Sequence, residues 1–280
     1  MNRLIREQVR SILSLWGFWS ACAVVAVILV VSVIRFAGYS YSYVPNPNDP
    51  GPGILVTGGS RYALFVRAFE GMDFIFPLAC SLAVGASFAI DRKTKVAQYI
   101  LTRGFRKWRY LLAKGAAMIL CSILLIVLVQ GVTWIASSAL ARYPTVQSFE
   151  GAGGRVGSSE DLFFHRVPGQ YVFLLALLQL LTTAAIATVS LLVAALGGNA
   201  WVSIITPIGL WFFLDNIFNE NALAFLNPGF KVRFLWWDPS LLRKPVAYPP
   251  FLQSSFACWG ILLLLNVVFT ALVYLRQEDA

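Results

Sequence analysis

Residues with acid–base, nucleophilic or metal-binding chemistry are scarce in the apolar parts of this chain. The single histidine, His165, lies in a polar stretch, where a solvated loop residue is a simpler interpretation than a general base or a metal ligand. The sequence contains no G-x-S-x-G, H-E-x-x-H or phosphate-binding G-x-x-x-x-G-K-S/T pattern. All four cysteines lie in apolar segments without a C-x-x-C neighbour. We therefore expect no catalytic centre, disulfide, metal site or cofactor site in this chain.

Two carboxylates at the ends of apolar segments are candidates for a functional role. Asp73 and Asp215 lie where two of these segments begin or end. An acid within the membrane is a functional candidate, whereas one at a helix end is also an ordinary solvated carboxylate. Pro77 and Pro207 interrupt the same two segments and would kink the helices or free backbone carbonyls. Asp73 and Asp215 could line an outer vestibule, and exposed helix-end carboxylates are the alternative for both acids.

Positive charge is densest in the stretch 91–114, between two long apolar segments. Eight of its 24 residues are basic, namely Arg92, Lys93, Lys95, Arg103, Arg106, Lys107, Arg109 and Lys114. Val96, Tyr99 and Ile100 recur at helical spacing, which Arg103 continues, so a short helix would carry an apolar strip beside a basic one. Such a helix predicts a docking element, with apolar side chains for a groove and cations for an acidic rim. A helix lying on the membrane surface is the alternative.

The composition requires lipid as the solvent for much of the chain. Of its 280 residues, 58% are hydrophobic and 12% are charged, and the mean hydropathy is +0.71. A water-soluble domain of this length cannot bury that much apolar surface. Six segments are long enough to cross a membrane, at about 15–36, 72–90, 115–138, 169–196, 200–217 and 251–275. The sequence thus predicts an all-α polytopic membrane protein, with one transmembrane domain over 1–280, six transmembrane helices and an uncleaved first span.

Lysine and arginine are distributed unevenly over the loops. The three loops 37–70, 139–168 and 218–250 hold 9 basic residues in 97 positions, against 8 in 24 for 91–114. Basic loops remain in the cytoplasm, so we expect both termini there and the three longer loops outside. The net charge of +9 then reflects this bias and contact with anionic lipid headgroups rather than nucleic acid.

Two regions outside the spans are predicted to lie at the membrane surface. Residues 1–14 repeat apolar and basic side chains at helical spacing, which predicts an N-terminal interfacial amphipathic helix, with a frayed basic tail as the alternative. The aromatic segment 218–250 predicts short outer helices before the last span, interfacial or re-entrant. A plain loop anchored by Trp236 and Trp237 is the alternative there. Residues 41–53, rich in Pro, predict an extended linker.

Polar residues inside the spans predict helix–helix packing. Small and hydroxyl side chains let helices approach closely and hydrogen-bond to one another. The fourth span carries Thr182, Thr183, Ala184, Ala185, Ala187, Thr188 and Ser190. Gln130 and Gln179 would face either a substrate path or a neighbouring helix, and both interpretations stay open.

The stretch 91–114 resembles the first cytoplasmic loop of ABC type-2 permeases, the membrane subunits of a large class of ABC exporters. Such loops open with an acid and an Arg, continue to an aliphatic pair and a Pro or Gly turn, and close with a Gly-Lys-like end. The matching residues are Asp91-Arg92, Ile100-Leu101, Gly104, Arg106-Lys107 and Ala113-Lys114. The chain departs from the pattern at Lys95-Val96, where Gly-Thr is usual, and at the Pro-like position, which is Gly104. The six-span organisation with both ends inside agrees with the resemblance.

The resemblance implies a mechanism that depends on partner proteins. Two copies of a separate cytosolic ABC ATPase would carry the ATP and Mg²⁺, and would bind the 91–110 helix as a coupling helix. A second permease copy, or a similar permease, would meet spans 2 and 5 along the translocation path, for which the possible residues are Asp73, Pro77, Pro207 and Asp215. The coupling residues implied are Asp91, Arg92, Val96, Tyr99, Ile100, Arg103, Arg106 and Lys107. The resemblance also implies a multi-pass protein of the bacterial plasma (inner) membrane, which is not an enzyme by itself.

Three other functions stay open. An ABC membrane subunit could transmit force to an envelope partner without transport, which an apolar, closed seam between two permeases would favour. An ion-coupled carrier would have broken, repeated spans, and no convincing internal repeat is visible. An intramembrane enzyme would need a buried polar constellation, which the sequence does not show. The sequence predicts no particular substrate.

Overall fold

Six membrane-length helices build the protein in a computed structural model that describes residues 1–38, 60–69, 74–102, 105–141, 167–197, 199–218 and 251–276. Within these ranges the chain forms helices and turns, without strand pairing into a sheet. The six helices are long and apolar enough to cross a membrane, which confirms the predicted all-α polytopic fold. We name them spans 1 to 6: Trp16–Gly38, Ile75–Lys93, Lys107–Leu140, Pro168–Ala195, Ala200–Phe218 and Phe251–Arg276.

The span boundaries differ from the predicted ones where polar residues continue a helix. Span 3 is predicted from residue 115, but the helix begins at Lys107, directly after Arg106 in an extended conformation (φ −67°, ψ 140°). Span 2 is predicted to end at residue 90, but it continues to Lys93. A hydropathy pattern marks the apolar part of a helix, whereas the backbone hydrogen bonds extend into the polar turns at its ends.

Within the described ranges, three shorter helices accompany the spans. The N-terminal helix, Asn2–Leu13, and the loop helix, Val96–Thr102, form where the sequence predicts them. The short helix, Arg61–Ala68, is not predicted, because its only start signal is Ser60, whose Oγ accepts a hydrogen bond from the Ala63 N–H at 3.2 Å. Residues 63–66 are all buried, since the short helix packs between spans 1, 3 and 4.

Span 4 lies at the centre of the bundle and contacts spans 2, 3, 5 and 6. Its seven predicted small and hydroxyl residues, from Thr182 to Ser190, are all buried, which confirms their predicted packing role. Gln130 of span 3 donates to the Gln179 side chain of span 4 at 2.7 Å. Asn266 of span 6 donates to the Thr188 hydroxyl at 3.3 Å. Of the two interpretations of the glutamines, the structure therefore supports contact between neighbouring helices.

Both described chain ends lie at the same end of the bundle as the loop helix. Gln8 of the N-terminal helix bonds to Lys114 near the start of span 3. Tyr274 near the end of span 6 packs against Phe88 of span 2, with ring centroids 5.7 Å apart. We call this end the basic end and the other the opposite end. The shared side of the two ends agrees with the predicted topology, whereas the cytoplasmic assignment stays a prediction; residues 41–53 and most of 218–250 lie outside the described ranges.

Candidate functional site: a coupling surface at the basic end

A sharp turn centred on Lys95 separates span 2 from the loop helix. Lys95 has φ 59°, in the left-handed region that few non-glycine residues adopt. Its N–H donates to the Arg92 carbonyl at 3.3 Å, and its own carbonyl accepts from the Tyr99 N–H at 3.0 Å. A left-handed residue after the last helical turn commonly ends a helix. The turn therefore ends span 2 and starts the loop helix within three residues.

Some side chains of the loop helix attach it to the bundle, and others are exposed. Ile100 and Leu101 are half-buried and pack against the core of the bundle. Tyr99 is 57% exposed and Val96 is 40% exposed. Phe105 and Trp108, which follow at the start of span 3, are also exposed. The helix is thus anchored to the bundle while it presents apolar and aromatic side chains outwards.

Cations surround these exposed apolar side chains. The Arg109 guanidinium lies 5.4 Å from the centre of the Trp108 ring, a cation–π contact. The coupling surface comprises the apolar Val96, Tyr99, Phe105 and Trp108 and the exposed cations Lys93, Lys95, Arg106, Lys107 and Arg109. Arg103, also predicted to belong to it, lies outside the described residues. An apolar centre with a basic rim fits a partner groove that is apolar inside and acidic outside.

Asp91 supports the coupling surface from inside the bundle. Its Oδ2 lies 2.7 Å from the Lys114 Nζ and accepts a hydrogen bond from the Tyr110 hydroxyl at 2.9 Å. The Lys114 ammonium also donates to the Gln8 Oε1 at 3.1 Å. All four side chains are buried. We call Asp91, Lys114, Tyr110 and Gln8 the buried clamp; it joins span 2, span 3 and the N-terminal helix.

Arg92 connects the same turn of span 2 to a different helix. Its Nη1 donates to the carbonyl oxygens of Ala194 and Ala195, at 2.7 and 3.1 Å. These are the last residues of span 4, where the helix dipole favours a cation; the Ala194 carbonyl also accepts a hydrogen bond from the Gly197 N–H at 3.3 Å. Arg92 therefore caps span 4, directly before the turn that leads into span 5.

Aromatic side chains pack around the buried clamp. Phe88 stacks on Tyr110, with ring centroids 6.2 Å apart, and meets the edge of Tyr274 at 5.7 Å. Phe88 and Tyr110 are fully buried. This packing keeps water away from the charges, so the hydrogen bonds within the clamp are stronger than they would be in water.

The candidate path residues do not come together in the described chain. Asp73 lies outside the described residues, and Asp215 is half-buried in the last turn of span 5. Pro77 occupies the first turn of span 2, where its missing N–H has no helical acceptor. The first helical bond of span 2 runs from the Leu78 N–H to the Phe74 carbonyl. The kink or freed carbonyl at Pro77 stays a prediction; four residues later the helix changes to a π-helical segment at Ser81–Gly85.

Pro207 lies inside span 5 and frees a carbonyl, as predicted. It has no N–H for the carbonyl of Ser203, four residues earlier. The Ser203 oxygen lies against Gly85, 3.2 Å from where a Cβ at that position would sit. A π-helical segment in one helix thus meets a proline-freed carbonyl in another. Spans 2 and 5 therefore pack closely at this point.

Three members of the buried clamp escape analysis of the sequence. Gln8 and Tyr110 carry no motif, and Lys114 belongs to the Gly-Lys-like end of the loop pattern, which predicts no partner for it. The available signal is the position of Asp91 and Lys114 at the two ends of the 91–114 loop. Antiparallel helices joined by a loop place its flanking residues at similar depth, so opposite charges there can pair.

Comparison of the chain with protein-family models and with curated proteins finds no match.

Proposed function

We propose that this chain is the membrane-spanning permease subunit of an ATP-driven ABC exporter. The coupling surface binds a separate cytosolic ATPase, which holds ATP and Mg²⁺ and hydrolyses the nucleotide. Two ATPases and two permeases, identical or similar, form the working unit in a bacterial plasma membrane. The permease passes the motion of the ATPases to the spans, and substrate then leaves the cytoplasm or the membrane.

The observation that carries the proposal is the exposed apolar strip on a helix that is firmly attached to the bundle. Tyr99 and Val96 project outwards among cations. Ile100, one turn after Val96 on the same strip, and Leu101 are half-buried and attach the helix to the core. A loop that is kept in the cytoplasm by its basic residues needs only the charges, and no exposed apolar side chains. Exposed apolar side chains in register on an anchored helix favour a protein partner with a groove.

The conformation of Lys95 also supports the resemblance. It stands where ABC type-2 permease loops usually have Gly, and the sequence departs from the pattern there. Its φ of 59° is one that Gly adopts without strain. The backbone therefore has the shape that the usual Gly would favour, although the side chain differs.

The attachment of the loop helix to the bundle suits force transmission. The buried clamp and the Arg92 contacts connect the residues directly before the loop helix to spans 3 and 4. A push on the loop helix therefore acts on several spans at once. An isolated helix resting on the membrane would need no such connections.

One observation favours the alternative in which the subunit transmits force to an envelope partner without transport. Span 5 exposes apolar side chains along its length, among them Trp201, Ile205, Leu210, Phe213 and Ile217. If this exposed surface meets a second copy, the seam between the two is apolar and offers a polar substrate no path. Both functions need the ATPase, and they differ in whether a substrate crosses the membrane.

The first experiment purifies the tagged chain from its native membrane in mild detergent and quantifies bound proteins by mass spectrometry. The proposal predicts a stoichiometric protein with the phosphate-binding G-x-x-x-x-G-K-S/T motif and ATP hydrolysis by the purified complex. Val96→Asp is expected to remove that protein, because a charge then faces the apolar groove. Ser11→Asp, an exposed position on the N-terminal helix, is the matched control and should keep it.

Either of two results would contradict the proposal. The chain could purify alone and remain stable, without any ATP-hydrolysing protein. Alternatively, Val96→Asp could retain the ATPase and full activity. In both cases the cations of the loop would serve topology alone, and the carrier and enzyme functions would need to be tested again.

A further inference from the structure

Asp91 and Arg92 are neighbours in the last turn of span 2, and their side chains bind different helices. Asp91 bonds to Lys114 and Tyr110 of span 3. Arg92 bonds to the last carbonyls of span 4. One helical turn, directly before the loop helix, therefore holds two spans at once.

Lys114 extends the first of these connections to the N-terminal helix. Its ammonium lies between the Asp91 carboxylate, at 2.7 Å, and the Gln8 amide oxygen, at 3.1 Å. Leu4 and Ile12, one turn before and one turn after Gln8, are buried with it. The N-terminal helix thus packs an apolar stripe with a single polar residue at its centre. A lone polar residue in an apolar stripe fixes the register of a helix at some cost in stability.

Helix stability does not explain the charges of the clamp. A carboxylate in the last turn of a helix meets the negative end of the helix dipole. Two charges taken out of water also lose in hydration much of what they gain by pairing. The pair therefore adds little stability beyond what a well-packed apolar pair would supply. Its distinctive contribution is geometric, because one ammonium group directs donors to two elements at once.

We infer that Lys114 is a positioning residue that holds the N-terminal helix and the loop helix in one fixed relation, through Gln8 and Asp91. The two helices then move as one body when the loop helix is displaced. The inference rests on the proposed function only for the source of that displacement, the ATPase. The fixed relation is a property of this chain alone and can be measured without a partner.

The test measures the distance between spin labels on the two helices by pulsed electron paramagnetic resonance. The labels replace exposed Ser11 and Thr102, on a background in which the four native cysteines are changed to alanine, in lipid nanodiscs. The unaltered clamp should give a narrow distance distribution. Asp91→Asn/Lys114→Met should broaden it at least about twofold while the protein stays folded, because a neutral pair keeps the packing and loses the register.

Two further variants separate positioning from general damage. Gln8→Leu keeps the ion pair and removes only the bond to the N-terminal helix, so it should broaden the distribution as well. The swapped pair Asp91→Lys/Lys114→Asp should narrow it again, because the Gln8 amide can donate through Nε2 and the Tyr110 hydroxyl can accept. Arg3→Gln, which breaks the exposed Arg3–Glu7 pair on the same helix, is the control and should change nothing.

The outcomes separate this inference from the proposed function. If the distance distribution keeps its width in both Asp91→Asn/Lys114→Met and Gln8→Leu, the positioning role is overturned, whether or not an ATPase binds. Broadening that the swapped pair does not reverse would also overturn it. Absence of an ATPase partner would contradict the proposed function, but it would not affect the measured distances or the positioning role.

Discussion

Lys114→Met is the substitution whose effect on stability the structure predicts most sharply. Methionine keeps most of the side-chain length and removes the charge. Lys114 is 0% exposed and Asp91 is 7% exposed. The variant therefore leaves a buried carboxylate with the Tyr110 hydroxyl as its one remaining clamp partner. Breaking a buried ion pair by removing one partner costs about 3–5 kcal/mol of the free energy of unfolding.

The double variant Asp91→Asn/Lys114→Met should be less damaged than Lys114→Met. Its site contains no charge, and the asparagine oxygen still accepts the hydrogen bond from Tyr110. The remaining loss comes from the Gln8 amide oxygen, which no longer has a donor, and amounts to about 1–2 kcal/mol. The effects of the two substitutions are thus strongly non-additive, as expected for residues in contact.

The assay is the thermal unfolding midpoint in mild detergent, followed by the loss of the monodisperse peak in size-exclusion chromatography. At roughly 2–4 °C for each kcal/mol, Lys114→Met lowers the midpoint by roughly 6–20 °C and the double variant by roughly 2–8 °C. Arg3→Gln, at an exposed ion pair, should leave the midpoint unchanged. The reasoning is refuted if Lys114→Met behaves like Arg3→Gln, or if the double variant unfolds below the single one.

Three further substitutions test other contacts by the same midpoint. Arg92→Gln loses the charged hydrogen bonds to the end of span 4 and should lower the free energy of unfolding by about 1–3 kcal/mol. Arg92→Lys should retain part of this stabilisation. Equal midpoints for Arg92→Gln and the wild type would contradict the capping of span 4 by Arg92. Gly85→Ala should be less stable than Gly131→Ala by about 1–3 kcal/mol. Both substitutions gain helix propensity, but only the new methyl group at position 85 meets the Ser203 oxygen, whereas a Cβ at position 131 meets nothing within 4 Å. Equal unfolding midpoints for the two variants would contradict the close approach at Gly85. Lys95→Gly should raise the free energy of unfolding by up to about 1 kcal/mol, since the φ of Lys95 is positive. Lys93→Gly, in the preceding helical turn, should lower it. A lower midpoint for Lys95→Gly than for Lys93→Gly would contradict the left-handed turn at Lys95.

The number and position of the spans could be predicted because each is a long apolar run with charged or turn-forming flanks. Hydropathy does not show where hydrogen bonding stops, so the polar first turns of span 3 from Lys107 were missed. The short helix Arg61–Ala68 was missed for a different reason. Its eight residues are too few for a span, and its burial on consecutive positions gives no amphipathic period.

The exposed part of the coupling surface could be predicted from spacing, whereas its attachment to the bundle could not. Val96 and Tyr99 follow a helical period that is visible in the sequence. The clamp depends on contacts between residues as far apart as Gln8 and Lys114. No local pattern encodes such a pair, because its geometry arises only when three helices pack. The same holds for Pro207, whose freed carbonyl was foreseen while its neighbour Gly85 was not.

A photo-crosslinker at Tyr99 tests whether the loop helix binds an ATPase, as proposed above. Benzoylphenylalanine in place of Tyr99 keeps an aromatic ring at an exposed position of the loop helix. Irradiation of intact cells should link the chain to a protein with the phosphate-binding motif and ATPase activity. The same group at Leu140, an exposed residue at the opposite end, should not. Adducts to lipid alone at Tyr99, with no ATPase at any yield, would contradict the account.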